Sequence, residues 1–377
     1  MTIPRRLLIP NNLLGIVAHV LFWPLLVAAV LASSMAVEFL DDRAKLEKHT
    51  ISGRLLDCID TPFQIFEEDG LHREWRIITL SNLSEALANI SIAAPDTAEK
   101  NGRLLEKLVP IILDRRNSPY PKPLLSVQNY GEHGLYLSHT NIVLGAFKRL
   151  TGSDRYFELN KKISLHLANK SLSELGYTIK SYPPEDRWPA DQAATLFSLY
   201  LYDRNYGQSV GAAPISKWVM YMQGEGRDVE TGLHKSELTG RNPYRHTPRG
   251  SAMAWSVRYM SKFAPEEAKS LWEGYKSHFE INMMGMAGFR EWPLGAQNFE
   301  DIDSGPIILD VGASATAFAV GASKAVGDGQ TYGRLKATAY FVKGLINLIP
   351  LEELEYLEYM VMAKAIELNN DTQINWY

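Results

Sequence analysis

The chain has 377 residues, of which 46% are hydrophobic and 22% are charged, and its formal net charge at pH 7 is −4. This composition excludes an intrinsically disordered protein, and the lack of a basic excess argues against nucleic acid as a partner. The single cysteine, Cys58, excludes an intramolecular disulfide and a metal site made of several cysteines.

The first predicted element is a hydrophobic segment from Leu13 to Ala32, which contains no Asp, Glu, Lys or Arg. About 20 residues of helix span the ~30 Å core of a bilayer. Two arginines precede the segment and acidic residues follow it, so the positive-inside tendency places the remainder of the chain outside the cytoplasm. We therefore predict a single-pass membrane anchor within residues 1–36, with a domain of residues 37–377 on the periplasmic side. A signal peptide cleaved after Ala36 is the alternative.

Beyond this segment the predicted elements are helices that recur in pairs. In each pair an apolar helix is followed by a short polar turn and then by an amphipathic helix carrying Lys and Glu. Gly152, in one of these turns, suits a helix C-cap, and Asp154 suits the N-cap of the next helix. About six such pairs predict an all-α fold, an (α/α)6 toroid of inner and outer helices, rather than an open solenoid. The predicted inner helices contain Leu80, Asn141, Leu196, Ala252 and Ala315, and a further helix is predicted from Leu351 to Leu368.

The connections from each outer helix to the next inner helix are long and rich in Trp, Tyr, Arg, His and Asp. In a toroid these connections lie on one face, at the N-termini of the inner helices, where negative charge is favoured. Functional residues gather on loops that a rigid scaffold holds in place. The predicted functional face is therefore made of residues 130–141, 181–192, 242–251, 288–293 and 299–306.

These loops combine aromatic rings with several carboxyl groups and histidines. Aromatic faces can hold a carbon skeleton, and two carboxyls in unlike environments can act as acid and base. The pattern therefore predicts proton-transfer chemistry on a hydroxylated organic substrate. The predicted catalytic residues are Asp191, His139, Asp303 and Glu291, the predicted substrate-binding residues are Tyr182, Trp188, Arg249, Arg290 and Trp292, and Asp60 and Tyr136 are further candidates.

Each of these residues also has a purely structural explanation. Asp191 could cap a helix, and His139 could be a hydrogen-bonded residue of the core. Glu291 could form an ion pair with Arg290. The acidic stretch at residues 301–303 lacks the rest of an EF-hand loop, and the sequence contains no Gly-rich phosphate loop, so we predict no metal site.

One stretch of the chain matches a known pattern. Residues 136–141 form a Tyr-x-x-His-x-Asn sequence, and residues 183–191 and 199–204 follow it at matching spacing. Together they resemble the linalool dehydratase/isomerase family, and weaker similarity extends to residues 59–63 and 301–328. The resemblance implies an (α/α)6 toroid, a ring-shaped homo-oligomer and an activity that needs no cofactor.

The resemblance also implies that His139, Asp60 and Tyr136 lie in the cleft. The chain departs from the family at two positions, because Tyr182 and Asp191 stand where the family's characterised enzyme has cysteines. A carboxyl at Asp191 can still serve as acid or base, whereas a thiol-assisted route is absent.

These observations lead to one expectation with two alternatives. We expect a membrane-anchored, cofactor-independent lyase or isomerase that acts by acid/base chemistry on a small hydroxylated substrate, terpenoid-like or sugar-like. The reaction would be a dehydration or a double-bond shift. The first alternative is a glycan-active hydrolase or epimerase, because an Asp- and Trp-rich funnel also resembles glycan-active enzymes built on α/α toroids. The second is a non-catalytic, membrane-anchored binding protein.

Overall fold

The computed structural model describes residues 73–182, 186–238, 246–283, 285–296, 299–346 and 357–377. The predicted membrane anchor and the candidate Asp60 lie outside these residues. Within the described part of the chain, no helix combines the length and apolar character needed to cross a membrane.

The described residues are mostly helical. Two short antiparallel hairpins accompany the helices, one formed by β1 (Glu280–Met283) and β2 (Met286–Phe289), the other by β3 (Ile307–Ile308) and β4 (Val311–Gly312). The longer helices are α1 (Arg73–Ala93), α2 (Ala98–Ile112), α3 (Gly134–Thr151), α4 (Phe157–Ser173), α5 (Pro189–Tyr206), α6 (Ala212–Gln223), α7 (Gly250–Phe263), α8 (Pro265–Phe279), α9 (Ala313–Val326), α10 (Gly329–Ile346) and α11 (Leu357–Asp371).

The odd-numbered helices form a closed ring. Helices α1, α3, α5, α7, α9 and α11 each pack against the next, and α11 packs back against α1. Helices α2, α4, α8 and α10 each pack against the inner helix that precedes them, and α6 lies against α4 and α5. This arrangement is consistent with the predicted α/α toroid. The two hairpins are an addition that the all-α prediction did not include.

The inner helices are buried on nearly all sides because small residues let their backbones come close. The side chains of α3 are buried from Gly134 through Phe147. A Cβ placed on Gly145 would lie 3.1 Å from the Cβ of Leu201 on α5, so the two helices meet at this glycine. The outer helix α2, in contrast, buries one apolar stripe, as the amphipathic pattern predicts.

Glycine ends three of the inner helices, α3, α5 and α9. Gly152 (φ 69°) caps α3 and Gly207 (φ 63°) caps α5, and both have the left-handed backbone that glycine adopts without steric cost. The predicted turn at Gly152 is therefore present, and the short turns lie at the end of the ring opposite the inner-helix N-termini.

The last residues of the chain pack across that same end. Arg149, in the last turn of α3, donates a hydrogen bond to the carbonyl of Trp376 at 2.9 Å, and the indole of Trp376 bonds to Asn89 of α1. The hydroxyl of Tyr377 donates to Asn205 of α5 at 2.8 Å. We call residues 372–377 the C-terminal plug, since they join the C-terminal ends of several inner helices.

Candidate functional site

A cavity of about 190 Å³ lies where several inner helices begin. Its wall is formed by the first residues of α1, α3, α5 and α7, by the middle of α9, and by the loop before β3. This is the face on which the sequence predicts the functional loops. The wall is lined by Glu74, Trp75, Ile78, Leu135, Tyr182, Trp188, Ala190, Asp191, Arg249, Ser251, Ala252, Trp255, Ile302, Asp303 and Phe318.

Aromatic rings make up much of this wall. Trp255 meets Phe318 edge to face, with ring centroids 4.9 Å apart, and Phe318 lies parallel to Trp75 at 6.3 Å. Trp188 and Tyr182 line the cavity from the loop before α5. Within the described residues, the indole nitrogens of Trp188 and Trp255 are buried and have no hydrogen-bond partner. The wall therefore offers flat apolar faces to a ligand.

Asp191 lies in the first turn of α5, after Trp188 at the N-cap position and Pro189 at the start of the helix. The helix begins at Pro189 and not at Gln192, so Asp191 does not occupy the N-cap position that the structural explanation requires. Burial raises the pKa of Asp191 to about 6, and the negative charge of Asp303 raises it further while Ser181 lowers it. A carboxyl with a pKa near neutrality can both donate and accept a proton under ordinary conditions.

Asp303 reaches the cavity from a tightly bonded turn. The carboxylate of Asp301 accepts hydrogen bonds from the backbone N–H groups of Asp303 (3.0 Å) and Ser304 (2.8 Å). The guanidinium of Arg249 donates to the same carboxylate at 2.8 Å. Although burial acts to raise the pKa of Asp301, its bond to Arg249 and the charge of that residue outweigh burial and lower it. The turn thereby presents Asp303 beside Asp191.

Arg249 connects this turn to a buried carboxylate. Its Nε donates to Glu291 at 2.8 Å, and its guanidinium lies 4.9 Å from the ring centre of Trp292. Glu291 also accepts hydrogen bonds from the hydroxyl of Ser251 (2.7 Å) and from its backbone N–H (3.2 Å). Burial raises the pKa of Glu291 against the opposing charge of Arg249. The cation that Glu291 binds is thus Arg249, rather than the neighbouring Arg290 that the sequence suggested.

Several predicted site residues lie behind the wall instead of on it. Glu291 is fully buried against Arg249. Trp292 packs on Phe299 with ring centroids 4.4 Å apart, and its indole N–H donates to the carbonyl of that residue at 2.9 Å. The hydroxyl of Tyr136 donates to the carbonyl of Ile112 on α2 at 3.0 Å, so it faces the outer layer of helices. Substrate-binding roles for Tyr136, Arg290 and Trp292, and a catalytic role for Glu291, stay predictions.

His139 lies behind Trp255, away from the cavity. Its ring centre is 6.0 Å from that of Trp255, and it is 1% exposed. Burial lowers the pKa of His139 to about 3, and the charge of Arg258 acts in the same direction. Among the described residues, neither ring nitrogen has a hydrogen-bond partner. A neutral imidazole offers one donor and one acceptor, so a catalytic His139 would act from its uncharged form.

A buried polar cluster continues below His139. Arg258 of α7 donates to Asn82 at 2.7 Å and forms an ion pair with Glu85 at 3.5 Å, and both partners lie on α1. The hydroxyl of Tyr259 bonds to Glu85 at 3.2 Å. The guanidinium of Arg258 also lies 4.9 Å from the ring centre of Trp255. This cluster joins α7, which carries Trp255, to α1 on the other side of the ring.

Six residues of the wall lie outside the predicted loops: Glu74, Trp75, Ile78, Ala252, Trp255 and Phe318. Glu74 and Trp75 begin α1, which the pattern placed as a helix but not as part of the functional face. Trp255 lies in the apolar inner helix α7, where a tryptophan cannot be distinguished from core. The adjacent acid–aromatic pair at the start of an inner helix is a signal that could have been used. In the described part of the chain, His, Cys, Asp and Glu residues do not cluster in threes suited to a metal ion.

Comparison with known proteins places the fold. No protein-family model matches the sequence, and no curated protein matches it significantly. A polysaccharide lyase of known structure is 10% identical with a TM-score of 0.51, over 86% of this chain and 98% of that one. A glycoside hydrolase of family 105 from C. acetobutylicum is 12% identical with a TM-score of 0.52, over 86% of this chain and 99% of that one. The chain therefore shares its overall fold with these two proteins.

Proposed function

We propose that the chain is a glycan-active enzyme in which Asp191 exchanges the proton. The observation that carries this proposal is the Asp191 carboxyl on the cavity wall, with a pKa raised to about 6 by burial and by the neighbouring Asp303. A general acid or base works best when its pKa is near the working pH. Two carboxyls with different environments are what acid/base chemistry on a sugar requires.

The rest of the wall supports a sugar-like substrate. The faces of Trp75, Trp188 and Trp255 can pack against the C–H faces of a sugar ring. The carboxyl groups of the wall can bind its hydroxyls. The fold shared with a polysaccharide lyase and a glycoside hydrolase supports the same substrate class.

In a hydrolase of this kind, protonated Asp191 would donate to the glycosidic oxygen as the C–O bond breaks. Asp303 would act as the carboxylate partner, either attacking the anomeric carbon or activating a water. A pair about 5–5.5 Å apart retains the anomeric configuration, and a pair about 6.5–9.5 Å apart inverts it. The configuration of the first product, measured by NMR, therefore reports which role Asp303 has.

A second candidate is a lyase or isomerase acting on a hydroxylated hydrocarbon, as in the linalool dehydratase/isomerase family that residues 136–207 resemble. The observation that favours it is the apolar part of the wall, which includes Ile78, Leu135, Ile302 and Phe318. Asp191 would protonate the hydroxyl, water would leave, and a neighbouring carboxylate would take up a proton from carbon. The membrane anchor, the periplasmic location and the ring-shaped homo-oligomer stay predictions.

One experiment separates these candidates. The full chain, in detergent, is incubated with a panel of oligosaccharides and separately with short terpene alcohols, and products are identified by mass spectrometry. Asp191→Asn should abolish turnover. The control Asp96→Asn changes an exposed aspartate that does not line the cavity, and it should leave turnover unchanged. Cleavage or epimerisation of a sugar supports the first candidate, and loss of water from an alcohol supports the second. Binding without turnover on either panel would contradict both and favour a binding protein.

A further inference from the structure

Exposed apolar side chains are concentrated at the mouth of the cavity. In the part of the chain that the structure describes, a group of large hydrophobic residues that we call the rim is exposed in one stretch: Leu294, Phe299, Ile302, Ile308 and Leu309. This stretch lies at the mouth, because Ile302 lines the cavity and the hairpin that carries Leu309 leads directly into the N-terminus of α9. Exposed apolar residues grouped in this way are typical of a surface that contacts a membrane or another protein.

The fold does not explain why a leucine stands at position 309. Leu309 and Asp310 form the two-residue turn between β3 and β4, and both have a left-handed backbone, with φ of 51° and 65°. Turns of this kind favour glycine and asparagine, and a bulky residue is unfavourable there. Leu309 is also 85% exposed, so burial within the chain does not offset this cost. An apolar contact outside the chain gives the leucine a physical reason.

The direction of the chain favours a bilayer as that contact. Helix α1 begins at Arg73 and its second residue, Glu74, lines the cavity, so the chain enters the ring at the mouth end. The hydrophobic segment that we predict as a membrane anchor, Leu13 to Ala32, precedes α1 in the sequence. A tether raises the effective concentration of one surface near another. An anchor joined to the mouth end therefore keeps the rim, rather than the C-terminal plug, near lipid.

The charges beside the rim indicate which lipid it suits. Residues 294–309 contain no Lys or Arg, and the exposed carboxylates of Glu300 and Asp310 adjoin Phe299 and Leu309. Anionic lipids attract clusters of Lys and Arg, so they would repel this surface. A zwitterionic bilayer carries no net charge, and contact of apolar side chains with the boundary of its acyl chains supplies the attraction.

We infer that the rim inserts into the surface of a zwitterionic bilayer, so that the cavity opens at the lipid surface. This inference goes beyond the proposed function and does not depend on glycan activity. It uses the predicted anchor only to bring the mouth end near lipid, whereas the insertion itself rests on the exposed side chains of the rim.

The test measures how close the mouth comes to lipid. The full chain carries Cys58→Ser and one new cysteine, Pro306→Cys, which is exposed beside the rim and bears a fluorescent label. The chain is reconstituted into phosphatidylcholine nanodiscs in which part of the lipid carries a fluorescence-quenching nitroxide. The control position, Ser209→Cys, is exposed in the short turn after α5 at the opposite end of the ring. We expect severalfold stronger quenching at Pro306→Cys. Equal quenching at the two positions, or none at either, would overturn the inference.

Rim variants test whether the leucines themselves are needed. Leu294→Asn combined with Leu309→Asn should reduce quenching of the label at Pro306→Cys severalfold, because amide side chains do not favour the apolar layer. The matched control combines Met220→Asn with Leu165→Asn, two exposed positions on the outer helices α6 and α4, and should leave quenching unchanged. Equal losses in both pairs would contradict a role of the rim.

The melting temperature separates insertion from a structural role of the leucine. Asparagine adopts a left-handed backbone more readily than leucine does, so Leu309→Asn alone should not lower the melting temperature. A lower melting temperature would show that the leucine serves the fold and would contradict the inference.

Two further outcomes decide what covers the rim. Replacing part of the phosphatidylcholine with phosphatidylserine should lower the quenching, and stronger quenching would overturn the assignment to a zwitterionic bilayer. If the label is unquenched in nanodiscs that hold one chain, but becomes shielded from water in detergent as the protein concentration rises, a second copy of the chain covers the rim and the inference fails.

Discussion

Asp301 accepts a hydrogen bond from Arg249 at 2.8 Å, and this contact joins the turn that carries Asp303 to the start of α7. The carboxylate of Asp301 also holds the backbone of that turn through two N–H groups. The position of Asp303, and with it the pKa of Asp191, therefore depends on residues that do not themselves exchange a proton.

This dependence gives a first prediction. Asp301→Asn removes the charge that holds Arg249, so Asp303 should be held less firmly and the pKa of Asp191 should fall from about 6. Asp303→Asn should lower it more, because it removes the neighbouring charge itself. In both variants it should stay above 3.8, since burial is the largest cause of the rise. A carbon-13 NMR titration of the Asp191 carboxyl measures this, and an unchanged pKa in both variants would contradict the account.

A second prediction concerns the buried ion pair. Glu291→Gln leaves Arg249 buried with Asp301 as its remaining carboxylate partner in the described contacts. Removing one partner of a buried pair costs about 3–5 kcal/mol, and we expect the lower end of this range because one partner remains. Glu99→Gln breaks an ion pair with both side chains more than 70% exposed and should have no measurable effect. Urea unfolding measures both variants, and equal stabilities would contradict the structural role of Glu291.

A third prediction concerns stability and pH. Burial is the largest cause that lowers the pKa values of His139 and His234 to about 3, from 6.5. The unfolded chain therefore takes up protons below about pH 6.5 that the folded chain does not, so stability should fall as pH falls from 6.5 toward 3. Asp191 has the opposite effect on stability. Its pKa is raised in the folded chain, so the folded state favours its protonated form, and this contribution to stability is lost as pH rises through about 6. The two histidines together should outweigh it.

Unfolding free energies measured in urea at several pH values test this balance. His139→Gln should reduce the loss of stability between about pH 6.5 and pH 5, since it removes one of the two histidines whose pKa in the folded chain is about 3. A slope that stays the same in this variant would show that His139 is accessible to protons in the folded protein.

A fourth prediction concerns a close approach at the start of α7. A Cβ on Gly250 would lie 2.0 Å from the carbonyl oxygen of Arg290, which is a backbone atom that cannot move alone. Gly250→Ala should therefore displace residues 290–292, destabilise the protein and disturb the bond between Arg249 and Glu291. Gly333→Ala on the outer helix α10 has no neighbouring atom within 4 Å and should be neutral, or stabilising by about 0.5–1 kcal/mol. Thermal unfolding measures the melting temperature of each variant. Gly250→Ala should lower it and Gly333→Ala should not, and equal melting temperatures would contradict the close approach at Gly250.

The helical part of the fold could be predicted from the sequence because its signals are local. The apolar run around Leu196 lies in α5, the turn at Gly152 has the predicted left-handed glycine, and Pro265 begins α8. The hairpins were missed, since strands of two to four residues leave no periodic pattern to detect.

The site was predicted less completely, for a physical reason. A loop residue can be placed on the functional face from the sequence, as Asp191 and Trp188 were, but the direction of its side chain depends on distant partners. Tyr136 and Trp292 turn toward Ile112 and Phe299, and neither contact follows from local pattern. Trp255 reaches the cavity from within an apolar helix, where only the packed structure distinguishes a wall from a core.

The C-terminal plug determines by which end of the ring a ligand can enter and leave the cavity. Tyr377 lies between the guanidinium groups of Arg149 and Arg204, at 4.9 and 4.6 Å from its ring centre, and Trp376 is 5% exposed. Lys262 of α7 binds the carbonyl of Ile374 at 2.6 Å, so the plug reaches a fourth inner helix. In the described part of the chain the barrel therefore has a floor. A molecule bound in the cavity therefore cannot leave past the C-terminal plug, and it leaves through the mouth by which it entered.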